Sequence, residues 1–178
     1  SAAADGPAGK NVYVIEPYYG IDRGLTSYSH VDGYKGIADT LGGSCTAYLG
    51  RNATIDDLAN ALEDGAVVGI FAHGALEYGV SYLTTGQGFT QEDYLSVPRK
   101  GFDYGYPPAF QCGDGTWAFD GSVIANHMDK SAPNSLVWLT ACHGMETETL
   151  CEPLRSQGVS VVVGYSDTLY ASYDDDYF

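Results

Sequence analysis

Two short apolar runs limit what this chain can fold into. Ala66-Val67-Val68-Gly69-Ile70-Phe71-Ala72 stops at His73-Gly74, and Leu136-Val137-Trp138-Leu139 gives way to Thr140-Ala141-Cys142-His143-Gly144. Runs this short, without a polar residue at alternate positions, suit a strand that is covered on both faces. Strands of that kind belong to parallel sheets with helices packed on each side. Each run also ends at a chemically useful residue. A histidine and a cysteine are thereby expected at the carboxyl ends of two strands, the edge where open α/β sheets keep their ligands.

The surrounding chain fits that frame. Asn11 to Tyr18 forms a first strand with Val12, Val14 and Tyr18 on one face, ended by Pro17. A helical pattern runs from Val31 to Leu41 through Tyr34, Ile37 and Ala38, and Gly42-Gly43 stops it. Cys45 to Leu49 is a second strand. Thr54 is placed to cap a helix carrying Ile55, Leu58, Ala59 and Leu62, with Asp56 and Asp57 in its first turn and Gly65 closing it. This alternation predicts right-handed crossovers and a parallel sheet. Residues 75–121 interrupt it: residues 79–89 resemble a hairpin turning at Gly86-Gln87-Gly88, and Asp93 to Gly121 has little periodicity, the habit of binding loops. Helices are expected over Ser122–Lys130 and Glu146–Arg155, then a buried strand over Val159–Gly164, while the tail begins another helix and its abrupt stop suggests truncation. The expected fold is therefore one α/β domain over residues 1–178, a three-layer α/β/α sandwich with a mostly parallel central sheet. Residues 1–10 are a loose terminus and 75–121 a hairpin and long-loop insertion.

Composition excludes some functions. The 178 residues carry 23 acids against 8 bases, a formal net charge of -15. That opposes binding to a phosphate backbone, which needs clustered Lys and Arg, and no apolar run is long enough to insert in a membrane. The first residues, SAAADGPAG, have neither the basic nor the apolar part of a signal peptide and suit a mature terminus. An acidic, lysine-poor, tyrosine-rich chain suits a secreted or cell-surface protein, although salt adaptation gives a similar composition. Cys45, Cys112, Cys142 and Cys151 lack the paired spacing of structural zinc sites. Cys142 is expected free, with pairing among the other three left open. Asn52-Ala53-Thr54 matches a glycosylation sequon. No cofactor is expected. Asp174-Asp175-Asp176 offers oxygen ligands to calcium, or is simply a solvated acidic run.

Cysteine catalysis needs a thiolate, a base and donors for an oxyanion. Cys142 supplies the first, favoured by a following helix N-terminus, and His73 the second. Gly74, without a side chain, lets its amide approach a substrate carbonyl. Glu16, at the end of the first strand, is a candidate to orient the base, and His143 is an alternative base. The competing expectation for Cys142 alone is a small buried residue.

AVVGIFAHG followed by SLVWLTACHG resembles the caspase-like cysteine peptidases, the group that includes gingipains, clostripain, legumains and caspases. VSVVVGYSDT resembles the gingipain-like members, in which that strand leads to a wall of the primary specificity pocket. The resemblance implies His73 as base, Cys142 as nucleophile, Gly74 as oxyanion donor, and amide-bond cleavage in a peptide or protein substrate through an acyl-enzyme thioester. It implies that Tyr165, Ser166 and Asp167 line the pocket. An acid there would select Arg or Lys, with Asp167 the candidate and a loop aspartate facing water the alternative. Arg99-Lys100 would then be a self-processing site. Two other functions fit the same residues: a non-catalytic protein- or glycan-binding module, and a transpeptidase in which an amine captures the acyl group.

Overall fold

The computed structural model describes residues 9–20, 30–86, 90–96 and 105–169. Its centre is a five-stranded parallel sheet of β1 (Asn11–Glu16), β2 (Cys45–Leu49), β3 (Gly65–Phe71), β8 (Leu136–Thr140) and β9 (Val161–Gly164), in the order β2-β1-β3-β8-β9. The chain reverses its direction of travel across the sheet between β1 and β3, which opens a crevice at their carboxyl ends.

Helices pack on both faces. On one side, α1 (Val31–Leu41) sets Tyr34 and Ala38 against Val12, Val14 and Phe71. Tyr34 lies on Gly69, where a Cβ would stand 2.3 Å from the ring Cζ, so the glycine gives the ring its seat. Gly42 ends α1 in the left-handed conformation at φ 68, as its position predicts. On the other side, α2 (Ile55–Asp64), α4 (Gly121–His127) and α5 (Cys151–Ser156) bring Leu58, Leu62, Ile124 and Leu154 against Ile15, Val68, Ile70, Val137 and Leu139. The α2 N-terminus is the one expected: the Thr54 hydroxyl accepts from the Asp57 N–H, and the Asp57 carboxylate accepts from the Thr54 N–H.

The insertion is more ordered than its sequence suggests. β4 (Gly74–Glu77), β5 (Val80–Thr84), β6 (Ala109–Gln111) and β7 (Trp117–Phe119) form an antiparallel sheet in the order β4-β5-β7-β6. Leu83, Ala109 and Phe119 from this sheet join the main core. The short helix α3 (Gln91–Ser96) lies between β5 and β6.

Two expectations need correction, and a third falls partly outside the described residues. The hairpin of β4 and β5 turns at Tyr78-Gly79, both at positive φ (53 and 77), whereas Gln87 and Gly88 of the turn expected at Gly86-Gln87-Gly88 lie outside the described residues; the Tyr78 ring stacks on Tyr106, a contact made only in the fold. The helix expected over Glu146–Arg155 shrinks to α5, because Pro153 has no N–H for the Thr149 carbonyl. That carbonyl instead accepts from the Gly121 N–H at 3.3 Å. Finally, β9 is not buried on both faces. Val161 and Val163 are 45% and 37% exposed and, with Leu136, share the α1 side of the sheet, where α1 covers β1 and β3 but not this edge.

Candidate functional site

β3 and β8 are hydrogen-bonded neighbours, with Phe71 opposite Thr140 and the Ala72 N–H donating to the Thr140 carbonyl at 3.0 Å. His73-Gly74 and Ala141-Cys142 therefore leave the sheet together at one carboxyl edge. The fit there is tight. A Cβ on Gly74 would lie 2.0 Å from the Cys142 carbonyl oxygen and 3.1 Å from the Ala141 Cβ. Gly74 is thus needed because two strand exits meet at its Cα.

The backbone beyond His73 is fixed by the insertion. The Thr84 N–H and hydroxyl each donate to the His73 carbonyl at 3.0 Å. Hydrogen-bonded and open pairs alternate along an antiparallel ladder, so Gly74, opposite Leu83, falls at an open pair and turns its N–H away from β5. The amide thus points to the edge of that sheet, where β4 is the outermost strand.

The His73 ring meets the edge of Tyr18, with centroids 4.4 Å apart at 67°. Tyr18 is buried, and its hydroxyl lies 3.3 Å from Thr116 Oγ1. Burial above all raises the Tyr18 pKa, with its hydroxyl hydrogen bonds opposing. Near the same histidine, Asp114 holds its carboxyl below the usual range, chiefly by hydrogen bonds from Thr116, with a smaller contribution from charge on His73.

Glu16 ends β1 and is 4% exposed. Its Oε1 accepts from the His30 N–H at 2.7 Å and faces His30 Nδ1 at 3.2 Å. The His30 ring lies flat on Phe71, with centroids 3.7 Å apart. The hydrogen bonds to Glu16 thus come from the start of α1, and the role sketched for it as a direct orienter of His73 is not what its partners indicate.

Cys142 is partly exposed and lies in a run of turns well before α5, so the support expected from a helix N-terminus is absent. Its sulfur is instead engaged by the exit of β9. The Leu169 N–H donates to Sγ at 3.3 Å, and the thiol donates to the Leu169 carbonyl at 3.8 Å. Among the described residues the four cysteines are free thiols. Cys151 is buried on α5, where burial above all raises its pKa.

His143 is occupied on both ring nitrogens: Nδ1 faces the Glu146 carboxylate, and Nε2 lies 3.2 Å from Thr168 Oγ1. Both contacts are to groups other than the Cys142 sulfur. Beneath it, Ser81 on β5 is fully buried; its hydroxyl donates to the His143 carbonyl at 2.8 Å, and its N–H donates to the hydroxyl of Thr149 at 2.8 Å. Tyr165, Ser166 and Asp167 follow β9 beside the cysteine turn. Tyr165 and Asp167 offer their carbonyls to Met145 and His143, while Ser166 and the Asp167 side chain face solvent. Asp167 Oδ1 accepts from the Thr168 N–H at 2.6 Å.

Arg99, Lys100 and Asp174 to Asp176 lie outside the described residues. Among the described residues no group of three or more His, Cys, Asp or Glu side chains is placed to hold a metal ion. No helix among them is long and apolar enough to cross a membrane. Tyr18, Ser81, Thr84 and Leu169 were not singled out as site residues by sequence, because each reaches the site through a contact distant along the chain.

No protein-family model matches this chain, and no curated protein matches it in sequence.

Proposed function

We propose that the chain is a cysteine peptidase of the caspase-like kind, with His73 as base and Cys142 as nucleophile. The observation that carries this is the meeting of the two strand exits, with the Gly74 Cα against the Cys142 carbonyl. The order of elements and the resemblance of AVVGIFAHG and SLVWLTACHG to that group support it.

In this mechanism His73 takes the proton from Cys142 Sγ, and the thiolate attacks the scissile carbonyl carbon. The amides of Gly74 and Cys142 receive the developing oxyanion. His73 then passes its proton to the leaving amine, which departs as the carbon–nitrogen bond breaks and leaves an acyl-enzyme thioester. Water, deprotonated by His73, attacks that thioester and restores the thiol. Tyr165, Ser166 and Asp167 form one wall of the cleft, and the Asp167 carboxylate gives it a preference for Lys or Arg before the scissile bond. The acidic, lysine-poor composition suits work outside the cytoplasm on a peptide or protein substrate.

A diverse peptide library, incubated with the protein and with Cys142→Ala, tests this directly. Cleavage products that are absent with the variant support the assignment, and no turnover by either protein removes it. A second function has one observation of its own: Tyr78 and Tyr106 are exposed and stacked with centroids 5.3 Å apart, an aromatic surface suited to a protein- or glycan-binding module. That alternative expects ligand binding indifferent to Cys142→Ala. Product mass spectrometry with an added amine distinguishes hydrolysis from transpeptidation.

A further inference from the structure

We propose that His143 is a positioning residue, a latch that holds residues 165–169 as a strap against the Cys142 thiol. Its end, Thr168-Leu169, must lift before an electrophile can reach the sulfur. Its significance for catalysis rests on the peptidase assignment, but its test reads the thiol itself.

The strap is tied at successive points. The Met145 N–H donates to the Tyr165 carbonyl at 2.8 Å, and the His143 N–H donates to the Asp167 carbonyl at 3.1 Å. His143 Nε2 then meets Thr168 Oγ1 at 3.2 Å, and the next residue, Leu169, places both its N–H and its carbonyl on Sγ. The Thr168 tie is thus the last side-chain contact before the segment touches the nucleophile. At the root of the strap, Met145 packs over Gly164, where a Cβ would lie 2.9 Å from its Cγ.

The histidine is set up for this task. Its φ of 55 is left-handed, a conformation uncommon outside glycine though less rare for histidine. Glu146 holds the ring by Nδ1, which leaves Nε2 for Thr168. A threonine hydroxyl can donate or accept, so the tie survives with the ring neutral or protonated. The base of the latch is buried and fixed by Ser81, whereas Glu146 and Thr168 are exposed. The upper contacts can therefore open without disturbing the core.

The geometry also explains the state of the sulfur. Attack requires Sγ to give its proton to a base and to direct a lone pair at a carbonyl carbon. Here the proton is directed to the Leu169 carbonyl, and the Leu169 amide occupies the sulfur. Displacing Leu169 frees both, and a substrate chain entering beside the strap would do so.

The test is the rate at which iodoacetamide alkylates Cys142 in the full chain, followed residue by residue by mass spectrometry. Buried Cys151 reports any general loosening. Thr168→Val removes the hydroxyl and keeps the backbone, and should speed alkylation of Cys142 by about five-fold, the factor that one ordinary hydrogen bond is worth. His143→Asn keeps a residue that tolerates positive φ but is too short to reach Thr168, and should do at least as much. If His143→Asn also exposes Cys151, Thr168→Val alone decides. Rates at Cys142 within two-fold of the parent in Thr168→Val, with Cys151 still protected, overturn the latch. Faster alkylation without peptide turnover keeps the latch and removes the peptidase; turnover with unchanged alkylation does the reverse.

Discussion

Gly74→Ala is the most informative single change in the fold. The new Cβ would stand 2.0 Å from the Cys142 carbonyl oxygen, and real side chains essentially never approach closer than 3.0 Å. The obstacle is backbone, so no rotamer relieves it, and the two strand exits must separate by about 1 Å, the difference between those distances. Overpacking of this kind costs about 1–3 kcal/mol. For a chain of this size each kcal/mol lowers the melting temperature by roughly 2–4 °C, so a fall of about 2–12 °C is expected. If His73 and Cys142 react as proposed, a 1 Å misplacement between them costs about 10²-fold in rate, and labelling of Cys142 by a peptide electrophile should slow by about that factor. Gly33→Ala on α1 is the control, because its Cβ would meet nothing within 4 Å; the better helix propensity of alanine should stabilise it by up to about 1 kcal/mol. Thermal unfolding and labelling kinetics on the three proteins give the answer. A Gly74→Ala protein that melts and labels like its parent would show that the strand exits do not meet as described.

Ser81→Ala should destabilise the chain by about 1–3 kcal/mol, because it strips a buried hydroxyl from the His143 carbonyl and the Thr147 hydroxyl; hydrogen exchange should quicken over residues 143–149, and unchanged protection there would contradict the coupling. Thr54→Ala removes the α2 capping box and should cost about 1 kcal/mol in urea unfolding, while leaving Cys142 labelling as it was. Acid gives a further prediction. Asp64 is held below the usual carboxylate range, first by the hydrogen bond from Tyr13 and then by that from Asn11. Its folded pKa lies below its unfolded one, so the stabilisation is present above the ordinary Asp value of about 3.9 and lost as pH falls through the folded value. Tyr13→Phe should therefore flatten the loss of stability below about pH 4, and a variant with the parent's acid slope would refute the assignment.

What could be recognised in the sequence was what local patterns determine. β3 and the Thr54 cap were clear because a strand buried on both faces and a helix N-terminus each leave a contiguous pattern. The helix after Cys142 was misplaced because acids at 146 and 148 imitate a first turn, while Pro153 marked the true one. The turn at Tyr78-Gly79 has no signal in the sequence, since a tyrosine at positive φ contradicts local preference and its stacking partner, Tyr106, is distant along the chain. Strands β6 and β7, three residues each, are too short to show a period. His73, Gly74 and Cys142 were legible as strand endings. Tyr18 against His73 and Leu169 on the sulfur were not, since neither contact has a local signature.

The central claim is that His73 and Cys142 act as one unit, and intact-mass labelling with a peptide chloromethyl ketone tests it most directly. A single adduct on Cys142, formed far more slowly in His73→Ala, is the predicted result. Adducts spread over Cys45, Cys112 and Cys151, or a Cys142 rate indifferent to His73→Ala, would contradict it.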